Sequence, residues 1–94
     1  MVISKENQEF LEGLIDYYVK EAKSYREIAQ EFSSEINSVT DTAFGIIIGC
    51  IYSSFLQAYS NQKQVPAMED IQEFNEMITK NTEIIKKSIM NENV

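Results

Sequence analysis

Histidine and tryptophan are absent from the 94 residues, and Cys50, Pro66 and Arg26 are each the only residue of their kind. A disulfide framework and a Cys/His zinc site built by this chain alone are therefore excluded. So are Ser-His-Asp and Cys-His catalysis, which lack their base. A di-metal carboxylate bundle normally draws on Glu-x-x-His pairs, and the alphabet for them is missing too. Three glycines and one proline are too few for an all-β chain of many turns. Positive charge is scarce: eight Lys and Arg stand against fifteen Asp and Glu, for a net charge of −7. Such a chain is a poor ligand for phosphate backbones, so no nucleic-acid partner is expected. Met1-Val2-Ile3 gives way at once to Ser4-Lys5-Glu6, without the apolar run and small-residue cleavage site of a secretory signal. A cytoplasmic location with Cys50 reduced is the corresponding expectation.

What is present is helical periodicity. Leu11, Ile15, Tyr18, Ala22, Tyr25, Ala29, Phe32, Ile36 and Val39 follow one another in alternating steps of four and three. That heptad seam marks one face of a helix packed against another helix. Phe10, Leu14, Tyr17 and Ile28 widen it. Ser4 suits the N-cap, Glu6 and Glu9 suit the positive end of the dipole, and Asp16 and Lys20 form a favourable i,i+4 pair. No proline interrupts residues 5–32, so the pattern predicts one helix over about 4–37, weakest at Ser33-Ser34, where adjacent serines compete for backbone hydrogen bonds. Ser38 with Asp41 three residues later resembles a capping box. A second helix over 41–61 then carries Ala43-Phe44-Gly45-Ile46-Ile47-Ile48-Gly49-Cys50-Ile51-Tyr52. After a polar link, Pro66 fits the first turn of a third helix over 66–91. Its stripe is Met68, Ile71, Phe74, Ile78, Ile85 and Ile89, with acids first and lysines last along the dipole. Glu76–Lys80 and Glu83–Lys87 are spaced to pair along it, and Asn91 to Val94 are expected to fray. The fold class is all-α: a single helical domain over 1–94, a three-helix up-down-up bundle packing as a homo-oligomer.

No charge occurs from Thr42 to Gln62, a length that suffices for a membrane span. Ser53, Ser54, Gln57, Ser60, Asn61 and Gln62 make its second half polar, and no Lys/Arg cluster flanks it to set an orientation. A buried central helix is expected instead, with no membrane partner. Gly45, Gly49 and Ser53 form a small-xxx-small face that permits close backbone approach. A hairpin turning at 38–40 would put Ala29 by Gly49, Tyr25 by Ser53 and Phe32 by Gly45.

Helix lengths of ~50, ~33 and ~39 Å at 1.5 Å per residue leave the start of the first helix overhanging that hairpin. Phe10, Leu11, Leu14 and Ile15 would then form an apolar patch for a second copy, most simply in a two-fold dimer. The alternative is a first helix folded back as two, giving a monomeric four-helix bundle. Glu27, Glu31 and Glu35 recur at every fourth position. They repel one another at the wrong end of the dipole and are a candidate contact for a basic protein partner, steered by charge. The functional expectation is a non-enzymatic interaction or adaptor module, homodimeric, with no cofactor and no metal. The second reading is a small-ligand or divalent-metal-binding helical protein whose carboxylate site is completed across an oligomer.

Overall fold

The computed structural model describes residues 3–90, and its regular structure is all helical, with no strand among them. Its four helices are α1 (Lys5–Lys20), α2 (Ala22–Gln30), α3 (Val39–Asn61) and α4 (Met68–Met90), with a single 3-10 turn at Ser33–Glu35. The fraying expected for 91–94 lies outside the described residues, as do Met1 and Val2.

The single first helix is corrected to two. Its ~50 Å would exceed the longest dimension of the molecule, 40 Å. The break falls at Glu21 (φ −99°, ψ 10°), and the chain re-enters helix at the next residue. Gly13 sits inside α1 without breaking it. A strict 3.5-residue seam drifts ~20° per heptad on a straight helix. A one-residue kink returns Ala22 and Ala29, both fully buried, to the side that holds Leu11 and Ile15. The seam therefore survives the break. α2 ends at Gln30, where Glu31 and Glu35 oppose the dipole and Ser33-Ser34 follow. Residues 31–38 then form the connection, of which 31–37 were expected to be helical.

The caps follow from the local chemistry. Ser4 Oγ accepts the Asn7 N–H at 3.1 Å, and Ser38 Oγ accepts that of Asp41 at 3.0 Å. α3 closes in a Schellman arrangement: Gln64 N–H donates to Tyr59 O and Lys63 N–H to Ser60 O, both at 2.9 Å. The left-handed residue this requires is Lys63, at φ 58°, where glycine is usual. Pro66 precedes α4, which starts two residues later than expected. On its surface Glu83 and Lys87 pair at 3.4 Å.

Long-range bonds give the directions. The Asn7 and Gln62 side-chain amides exchange hydrogen bonds of 3.3 and 2.8 Å, so α1 begins where α3 ends. Lys86 reaches Asp41 at 3.1 Å and lies 5.2 Å from the centre of the Phe44 ring, so α4 ends where α3 begins. Arg26 donates to the carbonyl of Ile89 at 3.0 Å, placing a cation at the negative end of α4. Thus α3 runs antiparallel to both α1–α2 and α4. One core joins all four helices, through Leu11, Ile15, Ala22, Ala29, Ala43, Ile47, Ile51, Phe55, Tyr59, Phe74, Ile78, Ile85 and Ile89.

Tyr18 packs on Tyr25, with ring centres 5.5 Å apart, and its hydroxyl interacts with Cys50 and Tyr25. Burial, aided by those two neighbours, pushes its pKa from 10.0 to about 12. Burial and the nearby Asp70 carboxylate raise Tyr59 as well. A tyrosine that holds its proton more tightly when folded stabilises fully below the unfolded pKa and loses that contribution as pH rises through the folded one. Stability is therefore expected to fall from roughly pH 10 to pH 12. Tyr18→Phe should flatten part of that fall while Tyr59 keeps the rest, as followed by the urea midpoint across the range. An unchanged alkaline slope in Tyr18→Phe would place the titration elsewhere.

Candidate functional site

The proposed hydrophobic contact does not exist as a patch. Leu11 is fully buried and Ile15 is 6% exposed, both within the core; Leu14 is half-buried, and Phe10 alone is exposed. The reason is register. Because the connection occupies 31–38, Tyr18 lies against Cys50, whereas a turn at 38–40 would set it opposite Ser60. Lys5 to Gln30 then matches α3 in length, and nothing overhangs.

The glycine hairpin is corrected with it. Gly45, Gly49 and Ser53 are exposed, and a Cβ added at either glycine would meet nothing within 4 Å. The buried stripe of α3 is the opposite face, Ala43, Ile47, Ile51, Phe55 and Tyr59. Glu27, Glu31 and Glu35 are exposed but share no helical row, since α2 ends at Gln30 and Glu35 lies in the 3-10 turn.

Two surfaces remain. The first is the outer face of α3: Thr42, Gly45, Gly49, Ser53 and Ser60, bordered by half-buried Ile46 and Leu56 and by exposed Tyr52. It carries no charge. Among the described residues α3 is the one helix long and apolar enough to cross a membrane by length and composition, with mean hydropathy 1.5 over its 18-residue window. Of that window 22% is fully buried in the fold; among the large apolar side chains of α3 Tyr52 is exposed, while Phe44, Ile46, Ile48 and Leu56 are half-covered.

The second is a groove of about 500 Å³ between α1 and α4. Ile15, Val19, Met77 and Ile84 form its apolar lining, and Glu12, Asp16, Glu73 and Glu76 its acidic rim, with Lys80 the one cation. Asp16 is paired with Lys20 at 3.0 Å, and Glu73 accepts the Ile3 N–H at 2.7 Å. The residues of this groove were visible in the sequence only as solvated acids beside an apolar seam; which two helices would share them was not.

No three His, Cys, Asp or Glu side chains among the described residues are grouped to hold a metal ion. Cys50 is a free thiol, half-buried. The fold and these surfaces define an all-α protein of four packed helices whose accessible chemistry lies in its faces. Compared with known proteins, the chain matches no family model, and no curated protein or solved structure is significantly similar to it.

Proposed function

We propose that this is a non-enzymatic, cytoplasmic helical interaction module that self-associates through the outer face of α3. The observation that carries this reading is an uncharged, exposed small-residue face on the most apolar helix of the molecule. A second copy suits it for an electrostatic reason. Each copy carries −7, so two copies repel wherever their acidic faces meet. From Thr42 to Gln62 there is no charge to repel. Gly45 and Gly49 offer a shallow groove, and Ile46 and Leu56 supply ridges, so the face can complement itself across a two-fold axis.

The test is sedimentation equilibrium over a concentration series, at about 50 and about 500 mM salt. The 10.8 kDa chain should approach twice its mass, more readily at high salt, where the carboxylates are screened. Gly49→Lys places two like charges in one dry contact. It should shift the midpoint to concentrations at least roughly tenfold higher without lowering the monomer's melting temperature. A parent protein that stays monomeric at the highest concentration would overturn the proposal. So would partition into neutral lipid vesicles in place of dimerisation, which would give the face to a membrane.

A further inference from the structure

We infer that the groove between α1 and α4 is a docking site for a basic amphipathic helix of another protein. Its composition states the partner's chemistry. The apolar lining of Ile15, Val19, Met77 and Ile84 asks for hydrophobic anchors, and Ile84 is an apolar side chain left 52% exposed. The rim asks for cations, because exposed Glu12 on α1 and exposed Glu76 on α4 face a single Lys80. Asp16 is paired with Lys20 at 3.0 Å and Glu73 accepts the Ile3 N–H at 2.7 Å, so the cation-seeking charge of the rim is that of Glu12 and Glu76.

The carboxylates are spread along both edges and do not converge, which suits several separate Lys or Arg side chains better than one metal ion. A helix with apolar residues at i, i+3, i+4 and i+7 and cations beside them would lay its stripe on the lining and its charges on both rims. A second copy does not meet that description. The longest run of bases in this chain is Lys86-Lys87, and its net charge has the wrong sign. The site is thus independent of self-association and is expected to act whether or not α3 dimerises.

The test uses the full chain and two fluorescein-labelled synthetic helices of one Leu pattern, one filled with Lys and the other with Glu, read by anisotropy. The Lys peptide should bind, and its Kd should rise at least roughly tenfold between about 50 and about 300 mM salt; the Glu peptide should not bind. Glu12→Lys with Glu76→Lys should raise the Kd of the Lys peptide at least roughly tenfold. Ile84→Asn, at an exposed position, should raise it several-fold at unchanged melting temperature. Glu6→Lys with Glu21→Lys removes the same charge from exposed positions outside the groove and should change it less than roughly twofold. Equal losses in the two double variants would reduce the binding to net charge and overturn the assignment. So would an unaltered Kd in Ile84→Asn, or no binding of the Lys peptide at low salt.

Discussion

Phe55→Ala is expected to remove most of the stability of this protein. Phe55 is fully buried in the middle of α3. Its ring centre lies 5.0 Å from that of Tyr59 and 4.9 Å from that of Phe74, and the Tyr52 ring also meets Phe74, tilted, at 5.2 Å. The aromatic cluster therefore ties α3 to α4. Truncating a buried phenylalanine costs ~3–5 kcal/mol, the transfer energy plus that of the cavity left behind. A domain of this length holds roughly 5–14 kcal/mol in total, so the variant should be partly unfolded at physiological temperature. Phe55→Leu, which keeps much of the volume, should cost less than the alanine by about 1–2 kcal/mol or more. Urea denaturation of the three proteins is the measurement. A Phe55→Ala midpoint within about 0.5 kcal/mol of the parent would mean that this ring is not where α3 meets its neighbours.

The second large effect has the opposite sign. Replacing Gly45 and Gly49 together by alanine should stabilise the monomer by about 2 kcal/mol. Each glycine costs ~0.8–1.0 kcal/mol relative to alanine in a helix interior. Both are exposed, with nothing within 4 Å of an added Cβ, so no clash offsets the gain. For a domain of this size that corresponds to a rise in Tm of roughly 10 °C. The experiment belongs at low micromolar concentration, so that self-association does not contribute. At high concentration the same two methyl groups should weaken dimerisation by filling the shallow part of the α3 face. The sequence alone led to the reverse expectation, since a glycine pair inside a tight hairpin would tolerate no side chain. A fall in Tm would restore that hairpin and reject the observed packing of α3.

The contrast between these two residue types marks where legibility ended. The starts of α1 and α3 were readable because a cap is local chemistry: Ser4 and Ser38 each satisfy a backbone N–H three residues ahead. The buried side of α1 and α2 was readable along the seam from Leu11 to Ala29, but Phe10, Tyr17 and Ile28, expected to widen it, and Phe32 at its end are exposed. Ala22 and Ala29 fell on the correct stripe even though the helix is broken between Lys20 and Ala22. The stripe of α4 was readable in the same way through Phe74, Ile78, Ile85 and Ile89, although Met68 turned out 71% exposed. The candidate contact at Phe10, Leu11, Leu14 and Ile15 failed on one number, the place where the chain turns. Moving the connection from 38–40 to 31–38 shifts every antiparallel partner by about two and a half turns, and two of the four residues enter the core.

By itself, then, the amino-acid order determined an all-α protein, the caps at Ser4 and Ser38, and an uncharged central segment too apolar to stand alone. Only tertiary packing decided which side of that segment faces inward, because Ile46, Ile47 and Ile48 place apolar side chains on nearly all sides of α3 and periodicity has little asymmetry to report. Packing also decided the register of α3 against α1 and α2, and with it which acids line a shared groove. Those choices depend on how volumes fit across helices far apart in the chain, and a local pattern carries no record of that fit.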